Sequence, residues 1–151
     1  MMVKEMSDEI LLDTIFKHFS TKKFTSPKVI PESLESYKKG GSLYGVTSGC
    51  YRYIFNGEVV YIGMSESSMK ARTYSFYRNA KLVYEGLKGN EAHSRKWAHK
   101  FPIDSLSKVI VEYCPTHSYL AKSFESWLIN DHKSKHGMYP ILNQEVNDFL
   151  T

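Results

Sequence analysis

Two short runs of apolar and aromatic residues, separated by one polar dipeptide, form the clearest pattern along this chain. The runs are residues 49–55 (GCYRYIF) and 58–63 (EVVYIG), and Asn56-Gly57 lies between them. An Asn-Gly dipeptide between runs rich in β-branched and aromatic residues is the strongest short-range signal for a β-hairpin. A further run of this type, residues 108–114, predicts a third strand.

Apolar residues that recur at three- and four-residue steps predict helices on both sides of the hairpin. The expected helices cover residues 7–19, about 68–86, 92–101 and 118–135. Between the first helix and the hairpin, two prolines and a Lys-Lys-Gly-Gly run predict an arm with at most one short helix, near residues 31–37. The whole pattern indicates an α+β fold with a small, mostly antiparallel sheet of about three strands flanked by helices. Residues 1–45 are then an N-terminal helix and basic arm, and 46–151 the main domain.

Composition narrows the class of protein. A chain of 151 residues has the size of one domain, and 42% hydrophobic with 24% charged residues is ordinary for a globular protein in water. No run of about 18 apolar residues is present, so no membrane span is expected. The first ten residues lack the apolar segment of a secretory signal, and the two cysteines, Cys50 and Cys114, are interpreted as buried reduced thiols. The expected compartment is cytoplasmic.

Basic residues are concentrated in one part of the chain. The net charge of +4 permits a nucleic-acid partner without requiring one. A solvated basic face is the simplest interpretation of such a cluster, but tyrosines, a phenylalanine and a tryptophan alternate with the charges here and favour contact with nucleic acid. The clustered basic residues are Lys70, Arg72, Arg78, Lys81, Lys88, Arg95, Lys96 and Lys100.

The two outer ends of the hairpin carry related tripeptides. Gly49-Cys50-Tyr51 and Tyr61-Ile62-Gly63 resemble the paired motifs of the GIY-YIG nucleases, with cysteine in place of the usual middle isoleucine or valine. Residues 90–97, 124–129 and 140–143 are similar to that family's mid-domain segment, metal-binding helix and closing asparagine segment. The pieces occur in the family's order over residues 49 to about 144. The resemblance implies that residues 46–151 form a GIY-YIG-like nuclease domain of the compact phage or restriction type.

The resemblance also implies an activity, which is divalent-metal-dependent hydrolysis of DNA phosphodiester bonds with Mg²⁺, or alternatively Mn²⁺. Within it, Tyr51 is the general base and Tyr61 orients the water or the phosphate. Arg72 clamps the scissile phosphate, and its planar fork suits that role. Glu125 holds the metal ion, and one carboxylate is enough for Mg²⁺, which keeps most of its waters.

This chain departs from the family pattern at several positions. Arg72 lies one residue further from the second motif than is usual, so we expect Tyr77 rather than Phe76 to occupy the site one turn later. Met64 stands where many members have a lysine after the second motif, and Lys70 is the expected substitute. His93 is interpreted as a phosphate contact or a surface residue rather than a catalyst.

Glycines and basic residues complete the expected site. Gly49 and Gly63 are placed where another chain segment or a ligand comes close, and Gly57 completes the hairpin turn. A homo-oligomer is compatible with the family, since one site cuts one strand. A non-catalytic nucleic-acid-binding protein on a nuclease-derived fold, and a structure-specific or RNA-directed nuclease, remain as alternatives. The residues assigned to DNA binding are Lys70, Arg78, Lys81, Arg95, Lys96, Lys100 and Asn143.

The hairpin turn decides whether the two motif tyrosines share a site. A regular two-residue turn at residues 56–57 puts Tyr51 and Tyr61 on opposite faces of the sheet. A three-residue loop over residues 55–57, closed by a glycine bulge, places the two tyrosines directly opposite each other. We therefore expect the three-residue loop, or a bulge elsewhere in the hairpin that restores the same face.

Overall fold

A computed structural model of the protein describes residues 8–38, 47–89 and 91–144. Its strands are β1 (Lys28–Val29), β2 (Gly49–Phe55), β3 (Glu58–Ser65) and β4 (Ile110–Pro115). Its helices are α1 (Asp8–Ser20), α2 (Ile30–Lys38), α3 (Met69–Tyr84), α4 (Ala92–Lys100) and α5 (Ser118–His136), with short 3₁₀ helices at Ile103–Lys108 and Ile141–Asn143. The strands form one antiparallel sheet in the order β1-β4-β2-β3. The α+β class is confirmed.

The sheet has four strands in the described residues, and the expected three is wrong by one. The additional strand, β1, pairs Lys28 with Val111 and Val29 with Ile110. Two residues are too few to show a period of two in the sequence, so this strand was not predicted within the expected arm. Ile30, directly after it, is fully buried in the main core, so this segment packs into the same core as the hairpin.

The hairpin turn is the two-residue type. Asn56 and Gly57 both have positive φ, 52° and 79°, and together they connect β2 to β3. A turn with positive φ at both central residues is the type I′ turn that Asn-Gly favours. The expected three-residue loop is therefore wrong.

A β-bulge in the hairpin changes the face of the sheet to which the β3 side chains beyond it point. Tyr53 pairs with Tyr61, whereas the next residue, Ile54, pairs with Val59, so that Val60 is an extra residue on β3. One extra residue reverses the alternation of side chains beyond it. The second expectation, a bulge elsewhere in the hairpin that returns the two motif tyrosines to one face, is confirmed.

The two faces of the sheet have different cores. On one face, aromatic residues of β2 pack with α3 and α4, and Tyr53, Phe76 and Trp97 are almost completely buried there. On the other face, Cys50 and Cys114 are register partners that pack with α1 and α5. Both cysteines are free and buried, as predicted.

The expected helices are all present, with ends within a few residues of the predicted ones. Ser68 caps α3, and its side chain accepts a hydrogen bond from the Ala71 backbone N–H at 3.1 Å. α1 is anchored by the buried Phe19, whereas Ile15 and Phe16 are 39% and 44% exposed. Among the described residues, no helix combines the length and the apolar character that crossing a membrane requires.

Candidate active site

A cleft of about 420 Å³ opens where β2 and β3 meet α3, the start of α4 and α5. We call it the cleft below. Hairpin residues form one wall and helical residues form the other. The side chains that bring hydroxyl, basic or acidic groups to the cleft include Tyr51, Tyr61, Arg72, Glu91, His93 and Glu125.

The rings of the two motif tyrosines lie close together over Gly63, which has no side chain. Tyr51 pairs across the strands with Gly63 rather than with Tyr61, so the expected direct pairing of the two tyrosines is wrong and they lie diagonally. Their ring centroids are 6.2 Å apart. A β-carbon on Gly63 would lie 2.7 Å from Tyr51 Cζ and 2.7 Å from Tyr61 Cε2. Gly63 is therefore required for both rings to occupy the cleft.

Gly49 serves a different purpose from Gly63. A β-carbon at Gly49 would lie 2.3 Å from the carbonyl oxygen of Cys114, which belongs to the neighbouring strand. The close approach expected at the motif glycines is thus made by backbone at Gly49 and by tyrosine rings at Gly63. Gly49 allows the neighbouring strand to come close, and Gly63 leaves room for the two tyrosine rings.

Both motif tyrosines are neutral in their present surroundings. Burial raises the pKa of Tyr51 well above its ordinary value, and the neighbouring Tyr61 adds to the effect while Arg72 opposes it. Burial likewise raises the pKa of Tyr61, helped by Glu125 and Glu91 and opposed by Arg72. The two hydroxyl groups therefore enter the cleft as hydrogen-bonding groups, and Arg72 is the cation nearby that favours loss of their protons.

Glu125 brings a partly desolvated carboxylate to the cleft from α5. Its side chain is 16% exposed, and Oε1 lies 3.5 Å from the ammonium nitrogen of Lys122. Burial raises the pKa of Glu125, whereas Lys122, His93 and Arg72 act in the opposite direction. A carboxylate whose charge is poorly solvated gains from a bound cation, so Glu125 is the residue of the cleft best suited to a metal ion.

The donor set fits a metal ion that relies on few protein ligands. Among residues 8–38, 47–89 and 91–144, no group of three or more His, Cys, Asp or Glu side chains is arranged to hold a metal ion. A single carboxylate beside an open cleft does suit Mg²⁺, which retains several of its waters and is often held by one or two carboxylates and substrate phosphates.

Glu91 and His93 also line the cleft, and the sequence did not indicate their placement. Glu91 caps α4, where it accepts a hydrogen bond from the His93 backbone N–H at 2.6 Å, lies 2.9 Å from His93 Nδ1 and accepts a further bond from the Ser94 hydroxyl. Burial raises the pKa of Glu91, but the hydrogen bonds from His93 and Ser94 outweigh it and leave the pKa below its ordinary value. The His93 ring centroid is 4.3 Å from that of Tyr61.

An acidic residue directly before a helix is a readable capping signal. Nothing local to residues 90–97 reveals that α4 begins beside β3, because that depends on how α3 and α4 pack together. His93, interpreted from sequence as a phosphate contact or a surface residue, is half-buried in the cleft.

Two expected site residues lie elsewhere. Phe76, four residues after Arg72, lines the cleft, and Tyr77 lies on another side of α3. Phe76, and not the expected Tyr77, therefore shares the cleft with Arg72. Lys70 is 3% exposed, and its Nζ donates a hydrogen bond to the Ser33 carbonyl at 3.0 Å. Lys70 is therefore not among the residues that line the cleft, and its assignment to the general base and to DNA contact stays a prediction.

Asn143 supports the sheet. Its Oδ1 accepts a hydrogen bond from the Ile62 backbone N–H at 2.8 Å, and its Nδ2 donates one to the Ile62 carbonyl, also at 2.8 Å. The side-chain amide thus occupies backbone groups at the free edge of β3, as a further strand would. Asn143 therefore has a structural role at the edge of β3, and its assignment to DNA binding stays a prediction.

The remaining basic residues lie on two different helices. Arg78 and Lys81 are exposed on α3, and Arg95, on α4, donates from Nη1 to the Gly89 carbonyl at 2.8 Å. Lys96 is half-buried, and its Nζ donates to the Gln144 carbonyl at 3.0 Å. Lys100, the last residue of α4, is exposed.

Comparison with known proteins adds nothing to this geometry. No protein-family model, curated protein or solved structure matches the chain. The arrangement of side chains in the cleft is therefore the basis for assigning a function.

Proposed function

We propose that this protein is a divalent-metal-dependent DNA endonuclease of the GIY-YIG type, which hydrolyses phosphodiester bonds in the cleft. One observation carries the proposal. Tyr51, Tyr61, Arg72 and Glu125 come from four different elements, and all of them line the same cleft. These are the residues that the resemblance assigns to the chemistry, so their position around one cleft supports the proposal.

Arg72 is the proposed phosphate clamp. It is exposed at the first turns of α3, beside the buried Tyr51 and the partly buried Tyr61. A guanidinium donates two parallel hydrogen bonds to a phosphate and keeps its charge at every physiological pH. The negative charge that develops in the transition state of hydrolysis is stabilised by such a donor, because the donor is already in position.

Tyr51 is the proposed proton acceptor and Tyr61 the residue that orients the attacking water. Burial opposes the role of Tyr51 because it raises the pKa of the hydroxyl, and Arg72 supports the role because it lowers that pKa. The Tyr61 ring packs against the rings of Tyr51 and His93, at centroid distances of 6.2 Å and 4.3 Å.

Glu125 is the proposed metal ligand, and Mg²⁺ or Mn²⁺ bound there supplies positive charge to the transition state and the leaving oxygen. The carboxylate lies next to Lys122 and faces the two tyrosines across the cleft. Glu91 is occupied by His93 and Ser94, which leaves Glu125 as the carboxylate of the cleft that can change partner on metal binding.

Cleavage of supercoiled plasmid tests the proposal. Purified protein is incubated with plasmid in Mg²⁺, Mn²⁺ or EDTA, next to Glu125→Ala and Tyr51→Phe, with circular dichroism to confirm that both variants fold. We expect metal-dependent nicking or linearisation that both variants lose. Absence of cleavage by the wild type with either metal, or full activity of Glu125→Ala, contradicts the proposal.

A second candidate is a non-catalytic nucleic-acid-binding protein on the same fold. The burial that raises the pKa of Tyr51, together with the position of Lys70 outside the cleft, favours it. A tyrosine with a raised pKa stays protonated at neutral pH, and a protonated hydroxyl cannot take a proton from water. Such a protein binds DNA equally well with Mg²⁺ and with EDTA and cuts in neither. Branched DNA and RNA substrates in the same assay test for a structure-specific or RNA-directed nuclease.

The number of copies that act together is part of the proposal. Each chain has one Glu125, so one cleft cuts one strand at a time, and a homo-oligomer is the simplest way to cut both strands. Sedimentation of the protein with and without DNA measures this.

A further inference from the structure

A second depression lies between α2 and α3, on the side of α3 opposite to the cleft. It has a volume of about 480 Å³, and we call it the groove. Arg72 and Phe76 face the cleft, whereas Tyr74, Tyr77 and Lys81 line the groove. With 3.6 residues per turn, these two sets are about half a turn apart on one helix.

The groove combines aromatic, apolar and basic groups. Tyr74 is 47% exposed, and Tyr77 is half-buried with the Lys81 ammonium nitrogen 5.4 Å from its ring centroid. Pro31, Leu34 and Leu82 provide the apolar part of the lining, and Arg78 adds a second cation. Aromatic rings that stack on bases, next to cations that bind phosphate, are the two elements of single-stranded nucleic-acid binding.

Two carboxylates limit what the groove can hold. Glu35 and Glu85 line it as well, and they equal Arg78 and Lys81 in number. A continuous phosphate backbone is poorly matched to such mixed charge. One nucleotide is well matched, because its phosphate can face a cation while a carboxylate accepts a hydrogen bond from an exocyclic amino group of the base.

The groove is also within reach of a strand that occupies the cleft. The exposed surface of α3 between them carries Ala71, Ser75 at its border, and Arg78. A helix with its side chains is about 10–12 Å across. A strand whose scissile phosphate meets Arg72 therefore crosses α3 within a few nucleotides and arrives at Tyr74.

We propose that the groove binds an unpaired nucleotide of the substrate strand, a few positions from the scissile phosphate, by stacking its base on Tyr74 and Tyr77. This inference rests on the proposed function and specifies its substrate class as DNA with a single-stranded flank. A base with an exocyclic amino group is preferred over thymine, because Glu85 supplies an acceptor and thymine has no such donor.

Binding measured without metal tests the groove separately from catalysis. A short fluorescent single strand is titrated with the full chain in EDTA, and its anisotropy gives the affinity. We expect Tyr74→Ala to weaken binding about tenfold, since a stacked base contributes about that much, and Tyr74→Phe to retain binding. Tyr119→Ala is the matched control, because Tyr119 is 76% exposed on α5 and lies outside the groove, and it is expected to bind as the wild type does.

Base preference provides a second measurement. We expect oligo(dC) to bind more tightly than oligo(dT), and Glu85→Gln to reduce the difference. Equal binding by Tyr74→Ala and Tyr119→Ala overturns the proposal. Binding of a peptide in the groove, without binding of the single strand, overturns it as well. Plasmid cleavage with no single-strand binding overturns the groove and leaves the nuclease standing. Tyr74-dependent binding with no cleavage supports the groove and overturns the nuclease.

Discussion

The two walls of the cleft are built differently. The strand wall, formed by Tyr51, Tyr61 and Gly63, is fixed by the pairing of β2 with β3 and is packed so closely that one added methyl group collides with both rings. The helix wall carries Arg72 and Glu125 on α3 and α5, at the ends of longer side chains that water partly reaches. The strand wall therefore determines shape and the helix wall supplies charge. Changes in the first should damage fold and site together, and changes in the second should damage the site alone.

The largest expected effect is on the helix wall. Arg72→Lys keeps the positive charge and loses the planar fork, so we expect metal-dependent cleavage to fall on the order of 100-fold with the fold unchanged. Arg52→Lys is the matched control, because Arg52 lies on β2 outside the cleft and the groove, where its Nε donates to Glu112 Oε1 at 2.6 Å. Initial rates of plasmid nicking and thermal unfolding measure the two quantities. Equal loss in both variants contradicts a clamp at Arg72.

On the strand wall, Gly63→Ala tests the fit of the tyrosine rings. The new β-carbon lies 2.7 Å from atoms of Tyr51 and Tyr61, so the rings must move. We expect the free energy of unfolding to fall by about 1–3 kcal/mol, with cleavage reduced as well. Gly86→Ala is the control for stability alone, since Gly86 has φ of 81° and no atom within 4 Å of an added β-carbon. It costs about 1–2 kcal/mol through backbone strain and should leave the cleavage rate of the folded protein unchanged.

The same division explains what the sequence could predict. The strand wall depends on residues close together in the chain, and Asn56-Gly57 with its flanking runs was enough to locate the hairpin. The shared face of the tyrosines followed from the need for one site, but the position of the bulge did not, because Val60 looks like any other strand residue. Local sequence determines strand pairing and leaves the exact register to packing.

The helix wall depends on contacts between distant segments. Arg72 and Glu125 were identified through their order in a family pattern, and the structure brings them to one cleft. Lys70 was assigned as the substitute for a family lysine and as part of the basic cluster, whereas its ammonium group reaches the Ser33 carbonyl of α2. Glu91 was missed as a residue of the cleft because the sequence shows that it can cap α4 but does not show that α4 begins beside β3.

Asn143→Ala should weaken the strand wall from its outer edge. The substitution leaves the N–H and the carbonyl of Ile62 without their amide partner, so we expect a loss of about 1–2 kcal/mol in the free energy of unfolding. Asn130→Ala is the matched control, because the Asn130 amide donates to the Ser126 carbonyl on the exposed side of α5. Urea denaturation of both variants gives the comparison. Similar values for the two would mean that Asn143 does not hold the edge of β3.

Glu91→Gln is the smallest expected effect, and pH makes it measurable. The pKa of Glu91 lies below its ordinary value of 4.5 in the folded protein, because the hydrogen bonds from His93 and Ser94 outweigh burial. The carboxylate therefore stabilises the fold at pH above about 4.5, and this contribution disappears as pH falls through the lowered pKa. Glutamine keeps one acceptor and loses the charge at the start of α4, so we expect a loss of about 0.5 kcal/mol at neutral pH.

The pH dependence of that loss separates a charge effect from a packing effect. The difference in the free energy of unfolding between wild type and Glu91→Gln should begin to shrink near pH 4.5 and approach zero below the lowered pKa, where the folded wild-type side chain is neutral too. Glu58→Gln, on an exposed residue at the start of β3, is the control for loss of one negative charge. A difference for Glu91→Gln that stays constant down to pH values below the lowered pKa would show that the glutamate acts through its shape. The negative charge of Glu91 would then not be needed to hold His93 beside Tyr61.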